Sequence, residues 1–238
     1  MFITIGINTG SMFKPIGQDL FAILLNDRYK HSIYALSAQS NWSRHMPWEK
    51  TFDLDEATDK AISVFWQKGY EATSMSDLVE GMGINKGSLY NAFGSKKALF
   101  DRALLRYDRK NRQKSLRELE ALEDPVLAVS TLFDGLIAET RGDTANRGCL
   151  LVNTALELPN QSPDVQNMVT GALRDFEDFF RRLIVQGQER GGIPPEVDPQ
   201  AASKSLLALV VGLRVLARGT YDAEEVAVLK SGALKLIS

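Results

Sequence analysis

The sequence predicts an all-α protein, and three observations carry that prediction. From residue 54 onward, apolar residues recur at the spacing of an amphipathic helix, first at Leu54, Ala57, Ala61, Val64 and Phe65. Three later segments begin with a cap residue followed by proline, as helices often do: Asp124-Pro125, Ser162-Pro163 and Asp198-Pro199. The sequence after Gln113 shows none of the apolar-polar alternation that is typical of a half-buried strand.

The first two expected helices are short. The apolar repeat that begins at Leu54 ends at Lys68-Gly69-Tyr70, where the glycine provides a stop signal. Ser74 is a suitable cap for the second helix, because Asp77 follows three residues later in a variant of the capping box. Glycines at 81 and 83 end this segment.

Two more helices follow within thirty residues. Asn85 is expected to cap a third helix that runs through Phe93, and Ser95 to cap a fourth from Lys96 to about Arg112. The second helix, the turn and the third helix together predict a helix-turn-helix, whose second helix enters the major groove with its N-terminal residues nearest the bases.

The rest of the chain is also expected to be helical. The helices are predicted near 125–140, 148–158, 163–190, 199–217 and 222–236. We divide the chain into an N-terminal extension of unassigned structure at 1–47, a helix-turn-helix DNA-binding domain at 48–107 and a helical domain at 108–238. The overall prediction is an N-terminal helix-turn-helix head followed by a larger C-terminal helical domain.

Charge is distributed unevenly along the sequence. Residues 86–114 contain nine Lys and Arg against two Asp, a net charge of +7, which leaves −9 for the rest of a chain whose total is −2. A local basic block in an acidic chain favours a polyanion-binding module, although most charge runs are simply solvated helix faces.

Several classes are excluded or disfavoured by composition. The single cysteine, Cys149, excludes an intramolecular disulfide and is typical of a reducing compartment. The longest later apolar run, 206–213, is too short to span a bilayer, so a cytoplasmic protein without a membrane partner is expected. Both histidines, His31 and His45, lie in the N-terminal extension, and no metal-ligand spacing, cofactor motif or catalytic set is found. The protein is not expected to be an enzyme.

The N-terminus of the third helix has the chemistry of a DNA contact. Lys86 adds positive charge, Gly87 lets a backbone approach closely, and the hydroxyl of Ser88 suits a base edge or a phosphate. Tyr90 and the lysines that open the fourth helix suit phosphates. The complete expected DNA-binding set is Thr73, Ser74, Lys86, Gly87, Ser88, Tyr90, Asn91, Lys96 and Lys97.

These residues resemble the signature of the tetracycline-repressor (TetR) family of bacterial transcription regulators. The stretch "GYEATSMSDLVEGMGINKGSLYNAFGSKKALF", residues 69–100, is similar to it almost throughout, and "RGCLLVNTALEL", residues 147–158, is similar to a segment of some ligand-binding domains of the family. The resemblance implies a homodimer that binds double-stranded operator DNA, with a C-terminal domain that binds a small-molecule inducer and dimerises through its last two helices. Residues 1–47 have no counterpart in the family pattern.

Two further sets of residues are candidates for those roles. The candidates for ligand binding are Phe133, Cys149, Asn153, Glu157, Phe176 and Phe180, the second to fourth of which are spaced to share one helix face. The stretch 205–217 is apolar nearly all round, which requires cover on more than one side. The expected dimer interface contains Leu206, Leu209, Val210, Leu213, Val226, Leu229 and Ala233.

The sequence therefore predicts a ligand-responsive transcriptional repressor. Two alternatives stay open. In one, Cys149 senses electrophiles or oxidants with help from a nearby cation, for which Arg214 and Arg218 are candidates. In the other, the chain is a helical small-molecule-binding protein whose DNA head is vestigial.

Overall fold

The computed structural model describes residues 52–238. The predictions for the N-terminal extension and for residues 48–51 therefore lie outside the described residues, as do both histidines. Within 52–238 the structure contains no strand, and the all-α prediction is confirmed.

The helices follow one another with short connections. They are α1 (Leu54–Lys68), α2 (Met75–Met82), α3 (Lys86–Phe93), α4 (Lys96–Asp108), a π-helical segment (Arg109–Gln113), α5 (Lys114–Glu120), α6 (Pro125–Gly142), α7 (Leu150–Leu156), a 3₁₀ turn (Leu158–Asn160), α8 (Pro163–Glu189), α9 (Pro199–Leu216) and α10 (Ala223–Lys235). We call α1–α4 the head.

Side-chain caps fix the helix starts where the sequence predicts them. Ser74 and Asp77 form a complete capping box at α2, because each side chain accepts a hydrogen bond from the other residue's backbone N–H. The cap residues of the other helices also accept backbone N–H groups, namely Asn85, Ser95, Asp124, Ser162 and Asp198. The predicted boundaries therefore agree with the structure to within about two residues at most helices.

Two predicted helix boundaries differ from the structure. The fourth helix does not end near Arg112, because a π-helical segment joins α4 to α5. The buried carboxylate of Asp108 accepts hydrogen bonds from Arg112 at 2.5 Å and from Gln113 at 2.8 Å, four and five residues later, which stabilises the wider turn. The helix expected at 148–158 is shorter, and Cys149 is its N-cap rather than part of it.

Two buried clusters organise the packing. One contains residues of the head, such as Phe65, Leu78 and Leu89, and continues into α7 and the first half of α8. The other lies among α5, α6, the second half of α8, α9 and α10. Because the first cluster is shared, the head packs against the C-terminal helices through a common apolar core rather than through a flexible linker.

Ion pairs on the outer side of the head hold α4 against α1. Arg106 donates from Nε to Asp59 at 2.6 Å, and Lys110 donates to the same carboxylate at 2.6 Å. Arg102 donates to Asp55 at 3.1 Å. The hydrogen bond from Arg106 is the main reason why the pKa of Asp59 is lowered to about 2.

A tight contact at the end of α8 gives a test of the packing in the C-terminal helices. Gly187 lies against Ile193, and a Cβ atom at position 187 would overlap Ile193 Cδ1 and lie 2.6 Å from Cγ1. We expect Gly187→Ala to lower the free energy of unfolding by about 1–3 kcal/mol, because overpacking displaces a buried side chain. Gly192→Ala is the control, since its Cβ would make only an ordinary contact at 3.8 Å. Equal chemical-denaturation midpoints for the two variants would contradict this packing.

Candidate nucleic-acid interface and interior cavity

The turn between α2 and α3 sets the direction of the candidate recognition helix. Gly83 adopts the left-handed conformation, with φ of 68°, and closes α2 through its backbone N–H. Asn85 Oδ1 then accepts the Ser88 backbone N–H at 2.8 Å and starts α3. Leu89 and Phe93 are buried in the head core, so the opposite face of α3 is turned outward.

Four of the predicted DNA-binding residues form one exposed surface along α3. Lys86, Gly87, Tyr90 and Asn91 are all exposed, and Tyr90 retains 42% of its accessible surface. A Cβ atom on Gly87 would meet only Asn85 Oδ1, at 3.4 Å, so no close packing inside the chain requires glycine there. Because glycine has no side chain, the backbone of another molecule can approach this surface closely. Ser74 is exposed at the N-terminus of α2.

Four other predicted residues are either buried or paired with groups of the head. Thr73 is buried, and its hydroxyl donates to Gly69 O at 2.5 Å. The whole of Ser88 is 3% exposed, so the expected contact of its hydroxyl with a base does not fit this structure. Lys96 donates to Tyr70 O and Thr73 O, both at 2.9 Å, and Lys97 pairs with Asp101 at 2.9 Å. Lys96 thus joins α4 to the segment between α1 and α2, whereas the Lys97 pair lies within α4. The phosphate contacts of both lysines stay a prediction.

The basic block is largely neutralised by neighbouring carboxylates. Its arginines 102 and 106 and its Lys110 pair with acids of α1, while Arg112 pairs with Asp108. The inference that the whole block forms a polyanion-binding surface therefore needs correction, because α1 supplies a matching acidic row that lies some forty to fifty residues away in sequence. Lys86 lies outside this network.

A cavity of about 120 Å³ lies where the end of α4 meets α6, α7 and α9. Two of the predicted ligand-binding residues, Cys149 and Phe176, line it. Phe133 and Phe180 are fully buried in the core and do not line the cavity. Asn153 is turned toward the backbone, since its Nδ2 donates to Arg147 O at 2.8 Å.

The remaining predicted ligand-binding residue is also placed elsewhere. Glu157 is exposed at the C-terminal cap of α7. The assumption that Cys149, Asn153 and Glu157 share a helix face fails because α7 includes only Asn153 of the three.

Polar groups in the cavity wall are paired with one another. The Tyr107 hydroxyl donates to Cys149 Sγ at 3.7 Å, and burial, followed by the influence of Cys149, raises the pKa of Tyr107 well above its usual value. Arg214 pairs with Glu139. Burial lowers the pKa of Arg214, but Glu139, Cys149 and Tyr107 together outweigh that effect, so the pKa is raised and the guanidinium stays charged.

The head contributes directly to this wall through Trp66 on α1. Its indole N–H donates to Gly148 O at 3.0 Å, immediately before Cys149. The Trp66 ring packs edge-on against Tyr107, with centroids 5.2 Å apart, and the Arg147 guanidinium lies 4.6 Å from the ring centroid on its face. Trp66 and Tyr107 were not identified from the sequence, because no linear pattern reveals an indole that bonds to a carbonyl 82 residues later. Arg214 could have been found from the sequence, because it is the single charged residue in the apolar stretch 205–217.

Most of the predicted dimer-interface residues are buried within the chain itself. Leu206, Val210, Leu213, Val226 and Ala233 are all buried in the core, while Leu209 and Leu229 are half-buried against it. The outer faces of α9 and α10 instead expose Val215 and Val228, at 37% and 67%. Gly212 and Gly232 lie on the same helices, and a Cβ atom added to either would have no neighbour within 4 Å. The apolar character of 205–217 thus reflects mainly the chain's own core.

Two features are absent from residues 52–238. No helix in that range is long and apolar enough to cross a bilayer. No three His, Cys, Asp or Glu side chains among them are arranged as a metal site.

Comparison with known proteins follows the same division of the chain. A family model described as "Bacterial regulatory proteins, tetR family" matches residues 57–103, and one described as "Tetracyclin repressor-like, C-terminal domain" matches residues 125–231. The HTH-type transcriptional repressor ComR of Escherichia coli (strain K12) is 33% identical over 189 residues, which are 79% of this chain and 90% of ComR.

Solved structures resemble the chain as well. A cysteine mutant of the TetR family transcriptional regulator CifR, complexed with 26-bp double-strand operator DNA, superposes with a TM-score of 0.70 and 28% identity. The match covers 82% of this chain and 100% of the CifR chain.

The different surroundings of two lysines make a testable contrast. Lys86→Ala should lower the slope of log affinity against log salt by about one counterion on a random-sequence duplex, because its exposed ammonium is placed for a phosphate. Lys110→Ala is the matched control and should leave the slope unchanged, since Lys110 already pairs with Asp59. Fluorescence anisotropy at a series of salt concentrations gives both slopes. A larger loss of slope for Lys110→Ala would show that the basic block faces the DNA.

Proposed function

Since the chain belongs to the TetR family of DNA-binding transcription regulators, we propose that it is a repressor that binds a palindromic operator as a homodimer and leaves it when a small molecule binds. The observation that carries this proposal is the cavity whose wall includes Trp66 and Tyr107 of the head. A ligand there touches the same helices that support the recognition surface. The site of action is the cytoplasm, where the operator lies.

The family assignment confirms the TetR resemblance found in the sequence. The relatives of this chain are named as transcriptional regulators and repressors, so the prediction that the chain is not an enzyme is also confirmed. The function depends on binding equilibria rather than on a chemical step.

The recognition surface, which is the exposed face of α3 with Lys86, Gly87, Tyr90 and Asn91, is proposed to enter the major groove. Helix N-termini favour anions, and a head of this shape presents the first residues of its second motif helix to the base edges. Tyr90 and Lys86 are placed for phosphates, and Asn91 is the exposed amide best suited to a base. CifR, a structural relative, is complexed with operator DNA, which supports the same use of the head here.

Two heads per operator require a dimer. We place the interface on the outer faces of α9 and α10, around Val215 and Val228, where apolar side chains and two unobstructed glycines allow close helix approach. The two recognition helices would then reach major grooves about 34–36 Å apart, or a multiple of that distance. Two-fold symmetry of the protein implies a palindromic site.

Release from the operator depends on the difference between the ligand's affinities for the DNA-bound and the DNA-free conformations. A ligand shifts the protein toward the DNA-free conformation only to the extent that it binds that conformation more tightly. The cavity lies beside the Trp66–Gly148 hydrogen bond, so a ligand that moves the start of α7 or Tyr107 also moves α1 or α4. These helices carry the rest of the head with them, because the head has one shared core.

A footprint on the intergenic DNA upstream of the protein's own gene tests the proposal. The expected result is a protected palindrome at nanomolar protein and physiological salt. Protection that shows no sequence preference, or no binding at all, would favour the alternative of a small-molecule-binding protein with a vestigial head.

The proposed interface is tested by a charged substitution on its exposed face. Val228→Glu should convert the dimer to a monomer and remove tight operator binding, because two buried carboxylates would lie near the symmetry axis. Leu127→Glu on α6 is the control, since Leu127 is also exposed, at 51%, but lies on another helix. Light scattering after size-exclusion chromatography reports the mass. A monomeric unmodified protein at micromolar concentration would contradict the dimer.

The second candidate function, sensing through Cys149, has one supporting observation. Cys149 Sγ lines the cavity and accepts a hydrogen bond from the Tyr107 hydroxyl, so an oxidant or electrophile that enters the cavity reaches the sulfur. The inducer proposal predicts that operator affinity is unchanged after treatment with hydrogen peroxide, both in the unmodified protein and in Cys149→Ser. Loss of affinity in the unmodified protein alone, measured by anisotropy, would establish the cysteine as the sensor.

A further inference from the structure

We propose that the cavity between α4, α6, α7 and α9 binds a small uncharged molecule that is mostly apolar and carries one hydrogen-bond acceptor, such as a carbonyl oxygen, which accepts the Tyr107 hydroxyl hydrogen. The inference rests on the proposed function only for the consequence of binding, namely DNA release. The ligand class follows from the size, charge and hydrogen bonding of the cavity.

The volume limits the ligand to about one six-membered ring. The cavity measures about 120 Å³ and has Leu136, Val152, Phe176 and Val211 in its wall. An apolar cavity of about 150 Å³ in another protein accommodates benzene. A ligand of roughly seven non-hydrogen atoms is therefore the size expected here.

Charge balance in the wall excludes strong binding of ions. The described lining contains three arginines and three carboxylates, and each arginine has its own partner: Arg112 with Asp108, Arg147 with Asp143, and Arg214 with Glu139. A charged ligand would lose its hydration on entry and would find every countercharge already engaged. The wall therefore favours an uncharged ligand.

The Tyr107 hydroxyl provides the polar contact. Its acceptor in the structure is a thiol sulfur at 3.7 Å, and sulfur is a weak acceptor. The raised pKa of Tyr107 keeps the hydroxyl protonated at neutral pH, so it remains a donor. A ligand oxygen close to Tyr107 would accept a stronger bond than Cys149 does, which fixes the orientation of the ligand.

The experiment compares two isosteric probes on two proteins. Cyclohexanone and methylenecyclohexane have the same size and shape, but only the ketone has a strong acceptor. Dissociation constants are measured by titration of labelled protein in NMR, for the unmodified chain and for Tyr107→Phe, which keeps the ring that packs on Trp66. Nuclear Overhauser contacts from each probe to the methyl groups of Leu136 and Val211 locate it in the unmodified protein.

The proposal predicts that Tyr107→Phe weakens cyclohexanone binding about two- to tenfold, as expected for one net hydrogen bond. Methylenecyclohexane should bind both proteins equally. Equal weakening of the two probes, or ketone binding away from Leu136 and Val211, would overturn it.

Charged analogues complete the test. Cyclohexylammonium and cyclopentanecarboxylate should bind at least tenfold more weakly than cyclohexanone, and equal or tighter binding of either ion would overturn the proposal. Operator release is measured separately by anisotropy with cyclohexanone. If the ketone binds as predicted but the operator stays bound, the ligand class stands and the inducer function fails.

Discussion

The hydrogen bond from the Trp66 indole to Gly148 O is the contact on which the rest of the structure depends. The indole N–H on α1 lies 3.0 Å from Gly148 O, although the two residues are 82 positions apart in the sequence. Gly148 is one of the residues that line the cavity. Tyr107 packs on the same indole ring from α4 and directs its hydroxyl to Cys149. Residues of the head therefore form part of the cavity wall, and we call this part the shared wall. A ligand that displaces the shared wall also displaces atoms of the head.

A second constraint is that much of the positive charge of the basic block is engaged in ion pairs within the protein rather than exposed for DNA. Asp55 and Asp59 on α1 pair with arginines 102 and 106 and with Lys110, which neutralises much of the basic block. Surface ion pairs of this kind contribute little each, but together they orient α4 against α1. The side chains left for DNA contact are concentrated on the exposed face of α3, which carries Lys86, Tyr90 and Asn91.

Local signals in the sequence predicted the helices, whereas contacts between distant residues had to be seen in the structure. Caps and glycine stops act over three or four residues, so Ser74, Gly83 and Asn85 gave reliable boundaries. The π-helical segment was missed because it depends on the burial of Asp108. Apolar periodicity also cannot tell a protomer's own core from a subunit interface, which is why Leu206 and Leu213 were assigned to the interface although they are buried within the chain.

The Trp66 indole N–H signal in NMR tests the shared wall most directly. A ¹⁵N-labelled complex with operator DNA is titrated with a compound that releases the DNA, and the signal is assigned through Trp66→Phe. We predict that the Trp66 indole resonance shifts in proportion to DNA release, because its bond to Gly148 O connects the cavity to the head. Complete release with an unchanged Trp66 resonance would contradict the shared wall.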